Sequence, residues 1–236
     1  MGKAALDRSA LARSLAPPAI FLAWLAAGVV TLAPSVSQAE TAAVDAVATS
    51  SQAAARDRSG VVLGFALGYG LAGASGFPNE SSKIDDPAYY SSSDLLSGGG
   101  GSGFVMGALT DYVSFGFWAG GATFESAHWR STGGGGGVRV ELFPLYGLYP
   151  KLRNLGIAAQ FGFGVSRLTS KVGDYPSANG SQSFASAAVF YEVPLFKMIG
   201  GHVALGPNLE YASIFSPAYE RHWAMLGLRV AFYGGS

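Results

Sequence analysis

The stretch Trp223-Ala-Met-Leu-Gly-Leu-Arg-Val-Ala-Phe-Tyr233 restricts the fold more than any other part of the chain. Ala224, Leu226, Leu228, Val230 and Phe232 are all apolar, whereas Met225, Gly227, Arg229 and Ala231 mix a small residue, a charge and bulk. Successive side chains of a strand point to opposite faces, so this is a two-faced ribbon with one apolar side. Such a ribbon needs partners, and the upstream chain supplies seven more stretches of the same period.

The first runs from Val61 to Ala72, where Val61, Leu63, Phe65, Leu67, Tyr69 and Leu71 alternate with small residues. The second, Gly103 to Leu109, has two nearly equal faces. Next come Val113 to Gly120, Val138 to Leu142, Ile157 to Ser166, Ala185 to Val193 and Val203 to Tyr211. Pro207 has no N–H for a ladder, so a bulge or local break is expected in the seventh. The segments between read as loops or turns: Gly73 to Ser102, Thr110 to Tyr112, His128 to Gly136, Tyr146 to Asn154, Thr169 to Ser183, Pro194 to Gly201, and Ser213 to Arg221. On this reading the connections after strands 1, 3, 5 and 7 are long and polar. Those after strands 2, 4 and 6 are shorter and carry Tyr112, Tyr146, Tyr149 and Phe196.

The charges decide which solvent the outer face meets. Within the strands there are five: Arg139, Glu141, Glu192, Glu210 and Arg229. All five fall on the small-residue face and none on the Leu/Val/Phe face. A soluble β-domain turns its apolar face inward and a charged face to water. Here the less apolar face is mostly Gly, Ala and Ser, which suits the narrow inside of a closed barrel. The apolar face is then left for lipid, where a basic residue near the midplane would cost about 2–4 kcal/mol. A soluble periplasmic β-barrel binding protein is the competing architecture.

Composition and compartment agree. Charged residues make up 13% of the 236 and glycine contributes 34. The formal charge is zero, without the basic stripe that nucleic acid requires. Cysteine is absent, which excludes disulfides, thiolate metal sites and a catalytic thiol. Lys3, Arg8 and Arg13, then the apolar run Ala19 to Ala33, then Ser37-Gln38-Ala39 have the order of a cleaved signal peptide. The run is short for an anchor helix, which needs about 20 residues. The expected domains are a signal peptide over 1–39, a flexible periplasmic leader over 40–60, a barrel over 61–233 and a tail over 234–236.

Gly227-x-x-Val230-x-Phe232 resembles the C-terminal assembly signal of bacterial outer-membrane β-barrels, with Met225 where that family prefers a polar residue. Residues 60 to 233 resemble the OmpA-type family of eight-stranded outer-membrane barrels. The resemblance implies an all-β, eight-stranded antiparallel up-and-down transmembrane β-barrel of a Gram-negative envelope. It implies outer-membrane lipid, lipopolysaccharide and the barrel assembly machinery as partners, with no nucleic acid and no cofactor, in a monomer. The family's peptidoglycan-binding role is not expected.

Sites of chemistry are sparse. Gly68-Tyr-Gly70-Leu-Ala-Gly73 fits G-x-G-x-x-G, but no helix follows to receive a pyrophosphate. The run Gly133 to Gly137 lacks the Lys-Ser/Thr of a phosphate loop and reads as a flexible loop end. His128, His202 and His222 form no close-spaced metal pair. His128 and Ser131 share one loop with Glu125 nearby, so a lipid-modifying hydrolase is the rival function, although the spacing differs from the His-x-Ser of lipid A deacylases. The expectation is a barrel plugged by an interior network of Arg139, Glu141, Glu192 and Arg229. Glu210 sits higher, within reach of Asn208 or Gln160. Surface interaction would pass through loops around Asp85, His128, Asp174 and Pro217, with Asp111, Lys151 and Lys197 facing the periplasm.

Overall fold

The computed structural model describes residues 58–173, 175–198 and 200–235; the expected signal peptide, most of the leader and Asp174 lie outside these residues. Ten strands form one sheet: β1 (Gly60–Gly76), β2 (Ser91–Ser92), β3 (Leu96–Ala108), β4 (Val113–Glu125), β5 (Trp129–Leu142), β6 (Leu155–Ser170), β7 (Ala178–Tyr191), β8 (Val193–Met198), β9 (Gly201–Phe215) and β10 (Tyr219–Gly234). The pairings follow chain order and β10 returns to β1, all antiparallel. The two-residue β2 is a rim addition to β1, and β8 continues the line of β7 along β9. The barrel therefore has eight staves.

Following one row of paired residues shows how it closes. From Leu71 the row passes through Ala224, Tyr211, Ala187, Ala159, Val140, Phe115 and Gly107, and returns to β1 at Val61. The return lies ten residues below the start, a shear of ten. Eight strands with that stagger must tilt, typically by about 35–45°. Each strand then has one face inside and one outside throughout its length.

The outer face is apolar. Leu63, Phe65, Leu67 and Leu71 on β1, Phe115 and Phe117 on β4, Phe161, Phe163 and Val165 on β6, and Leu226 and Leu228 on β10 are 44–78% exposed. The stretch from Val61 to Leu71, tilted as above, spans about 25 Å, the height of an outer-membrane apolar band. Among the described residues, charged side chains on the outer face occur only near the rims: Glu125, Arg130, Arg167 and Glu220 at one, Lys197 at the other. None of the described helices is long and apolar enough to cross a membrane.

Several expected loops are strand. Gly98 to Gly101 lie within β3, Gly133 to Gly137 within β5, and Tyr219 to Arg221 within β10. Glycine has no side chain to display a period of two, yet its backbone pairs fully: Gly133 with Ser166, Gly135 with Gly164, Gly137 with Gly162. The expected alternation of connection lengths fails as well. The links 126–128 and 216–218 are tight turns at the rim of the long loop 77–95, while 143–154, with its turn of 3-10 helix at Pro150–Leu152, is the longest at the opposite rim. Pro207 stays within β9; the gap falls in its partner, where β7 ends at Tyr191 and β8 begins at Val193.

The expected leader also reaches into the barrel. Arg58 is 4% exposed, with its backbone N–H donating to Asp111 Oδ1 at 2.9 Å and its Nη2 to Asn154 Oδ1 at 2.9 Å. Its guanidinium lies 3.7 Å from the Phe143 ring centre.

Candidate functional site

The lower third of the lumen is crossed by charge. β5 turns Arg139 and Glu141 inward, β10 turns Arg229 and Tyr233 inward, and Glu192 sits at the gap between β7 and β8. Arg229 grips Glu141 with both prongs, Nη1 to Oε1 at 2.6 Å and Nη2 to Oε2 at 2.8 Å. Its Nε donates to Glu192 Oε1 at 2.8 Å, and Arg139 Nε donates to Glu141 Oε1 at 2.7 Å. Tyr233 gives its hydroxyl proton to Glu192 at 2.8–2.9 Å, and Arg58 stands 3.8 Å from the same carboxylate. Phe104 packs against both guanidiniums, 4.6 Å from Arg139 and 4.4 Å from Arg229. Two-pronged Arg–carboxylate pairs are among the stronger hydrogen bonds a protein makes, and here water is excluded.

Glu210 is a separate case. It is 7% exposed and lines a cavity of about 30 Å³ at mid-height, with Ser102, Trp118, Gln160, Trp223 and Met225. The expected bond to Gln160 is not made, since neither amide atom of Gln160 has a partner among the described residues. The indole N–H groups of Trp118 and Trp223 are likewise unpaired. A cavity of this size has room for one water molecule, and the unpaired amide and indole groups beside it could bind one.

Aromatic rings wall this cavity, and above it the lumen is hydroxyl-lined. Trp118 lies 4.4 Å from Phe184, and Phe184 5.8 Å from Trp223, centre to centre. Arg221, fully buried, donates to Ser166 Oγ at 3.2 Å and to the Ala122 carbonyl at 2.9 Å. Gly133 makes room for it, because a β-carbon there would lie 2.7 Å from Arg221 Nη1. Tyr219 joins Ser131 and Ser166 through hydroxyl contacts of 3.3 and 3.4 Å.

The upper rim is bound together by one loop. The Phe77 N–H donates to the Ala218 carbonyl at 2.6 Å, and the Asn179 N–H to the Phe77 carbonyl at 3.3 Å. Ser91 Oγ donates to the Pro176 carbonyl at 2.5 Å, and Ser126 Oγ to Asp94 Oδ1 at 2.6 Å. The loop 77–95 thus touches the connections on all three other hairpins of its rim. The Asp94 carboxyl is held below its ordinary range, first by the Ser126 hydroxyl and then by His128, 3.4 Å away.

The structure thus brings Arg139, Glu141, Glu192 and Arg229 into one hydrogen-bonded network, with Glu210 coupled to it through the charge of Arg139. Three lumen residues were missed: Arg58 in the leader, Arg221 in an expected loop, and Tyr233 at the expected barrel end. Arg221 and Tyr233 share the odd-numbered phase of Arg229, which is the signal that could have found them. Gly227 faces Gly68, and a β-carbon there would run into the Leu67 carbonyl oxygen; Val230 and Phe232 sit on the outer face. The hydrolase pairing does not form. Ser131 is buried in the lumen beside Tyr219, whereas the His128 side chain is 65% exposed at the rim.

Charge inside, hydrocarbon outside and no open sheet edge around the wall leave one reading. The chain is an eight-stranded membrane β-barrel. No protein-family model and no curated protein matches it. Solved structures do. The attachment invasion locus protein Ail of Yersinia pestis matches over 74% of this chain and 99% of that one, at 11% identity and TM-score 0.39. The N-terminal β-barrel domain of Pseudomonas aeruginosa OprF matches over 74% and 98%, at 14% identity and TM-score 0.38. Neisserial surface protein A matches over 70% and 96%, at 10% identity and TM-score 0.37.

Proposed function

We propose that the chain is an integral outer-membrane protein whose lumen is plugged and whose work is surface interaction through the rim. The observation that carries this is the Arg229–Glu141 pair, joined by Arg139, Glu192, Tyr233 and Arg58 across the lower lumen. A general pore needs a continuous wet path, and these side chains together with Trp118, Phe184 and Trp223 fill that path. The loop 77–95, tied to its three neighbours, offers a fixed surface for a partner. The protein acts as a monomer, exported by a cleaved signal peptide and inserted by the barrel assembly machinery. The apolar exterior disfavours a soluble binding protein, and the separation of Ser131 from His128 removes the basis for the hydrolase. Membrane fractionation followed by electrophoresis without boiling tests this reading. An outer-membrane band whose mobility changes on heating is expected; a fully soluble protein with heat-independent mobility would refute it.

A further inference from the structure

The outer face carries a groove as well as a band. Reading across neighbouring strands, Gly101 pairs with Gly121 and Gly121 with Gly134; two residues lower, Gly103 pairs with Ala119 and Ala119 with Gly136. These outward positions on β3, β4 and β5 carry nothing larger than a methyl group. Strands lie about 4.8 Å apart, so the floor is about 10 Å across. The next strands raise walls. Leu67 and Tyr69 on β1 stand beside Gly101 and Gly99, and Phe163 and Val165 on β6 beside Gly136 and Gly134. All four wall residues are more than half exposed, and Phe117 closes the lower end. Leu67 leans across Gly101, leaving the rest of the floor open.

The upper end is polar and basic. Thr123 and Thr132 pair above the floor, and Arg167 lies opposite Thr132. One step higher, Arg130 pairs with Glu125, and Lys171 reaches the same carboxylate from the β6–β7 connection. Arg130 Nε is 2.7 Å and Lys171 Nζ 3.1 Å from Glu125, yet these two side chains remain 58% and 40% exposed. Arg130 and Lys171 share one acid there and Arg167 adds a third cation, at the height where the apolar band ends and lipid headgroups begin. Asp94, the other acid nearby, is engaged by Ser126 and His128.

We infer that this face is a docking site for one phosphorylated, multiply acylated lipid of the outer leaflet, of the lipid A class. Its acyl chains lie side by side on the glycine floor between the Leu67/Tyr69 and Phe163/Val165 walls. Its phosphates meet Arg130, Arg167 and Lys171, with arginine matching phosphate geometry through paired N–H donors. The charge excess selects an anionic headgroup, and a floor of three strands selects several chains over one. The inference rests on the membrane reading above and gives the lipopolysaccharide that the resemblance implies a specific place on the barrel wall.

Native mass spectrometry of the purified full-length chain in detergent tests it, with added bis-phosphorylated hexa-acyl lipid A and, separately, phosphatidylglycerol. The expected result is lipid A retention at least tenfold above phosphatidylglycerol. That retention should fall at least tenfold in Arg130→Ala/Arg167→Ala/Lys171→Ala. Ala119→Trp should lower it equally by filling the floor, whereas Leu228→Trp, on the lipid face of β10, should leave it unchanged. Gly103→Leu, where a β-carbon meets nothing closer than 3.9 Å, serves if Ala119→Trp does not fold. Equal retention of the two lipids, or wild-type retention in the variants, overturns the site. Either outcome with heat-modifiable mobility intact leaves the membrane barrel standing; loss of that mobility shift in the wild type removes both.

Discussion

Arg229 on β10 and Glu141 on β5 meet across the barrel in a two-pronged pair with contacts of 2.6 and 2.8 Å, both side chains fully buried. They are 88 residues apart in sequence. Their meeting requires the sheet to be closed and the register correct at every intervening strand. The pair is thus a local consequence of global closure, and its removal is the sharpest perturbation available.

Arg229→Ala strands Glu141 and Glu192 without their shared cation, and breaking a buried pair costs about 3–5 kcal/mol. Val230→Ala, one residue on and facing lipid, should cost about 1 kcal/mol or less. Urea unfolding in lipid vesicles, followed by tryptophan fluorescence, measures both. Equal midpoints for the two variants would mean that the network contributes little to holding the barrel.

Arg58→Ala removes the charged hydrogen bond to Asn154 and the packing on Phe143, for an expected loss of about 1–3 kcal/mol. The loss should be smaller than for Arg229→Ala, because Arg58 stands at 3.8 Å from Glu192 and not in its first contact. Increased protease cleavage just before Gly60 should accompany it. Wild-type cleavage in this variant would show that the segment is held by other means.

Gly227 separates two roles that a C-terminal signal can have. A β-carbon there collides with the Leu67 carbonyl, so Gly227→Val should slow refolding into pure detergent micelles, where no assembly machinery is present. Val230→Ala and Phe232→Ala should refold normally in micelles and lose insertion only in cells. Normal micelle refolding of Gly227→Val would contradict the steric account.

The Asp94 contact to Ser126 should be sensitive to acid. The carboxyl is held below its ordinary range, so its contribution is fully present above about pH 4 and is lost as pH falls through the lowered value. Amide exchange at His128 and Trp129, whose N–H groups donate to Ser126 Oγ, should quicken below that point. Asp94→Asn should exchange faster already at neutral pH, with a flatter profile. A wild-type profile in Asp94→Asn would remove Asp94 from the rim's support.

How much of this could be read from the chain depended on side-chain bulk. β1 and the lower half of β10 alternate large and small residues, so their span and inward phase were legible, and with them the positions of Arg139, Glu141, Glu192 and Arg229. β3 and β5 pass through Gly98 to Gly101 and Gly133 to Gly137, where no side chain marks a face, and these read as loops. The upper ends of β6, β7 and β10 rise above the apolar band. There the outer face turns polar at Arg167, Asn179 and Glu220, the contrast between faces vanishes, and Arg221 was lost with it. Arg58 docks on Asp111, Asn154 and Phe143, contacts so distant in sequence that no local pattern reports them.

An even number of staves brings the two ends of the barrel, Gly60 and Gly234, to one rim, and the reading proposed above places that rim in the periplasm. Cysteines at Asp85, His128 and Pro217 should label from intact cells, and cysteines at Asp111, Lys151 and Lys197 only after the outer membrane is opened. External labelling of Asp111→Cys would reverse the assigned orientation.

The most direct measurement is single-channel recording of the purified barrel in planar bilayers, with insertion established by heat-modifiable mobility of protein recovered from the same vesicles. A plugged lumen predicts no sustained conductance for the wild type and open steps for Arg229→Ala/Glu141→Ala. Large, steady wild-type steps that are unchanged in the variant would contradict the account, because the lumen would then be a wet channel to which the Arg229–Glu141 pair is irrelevant.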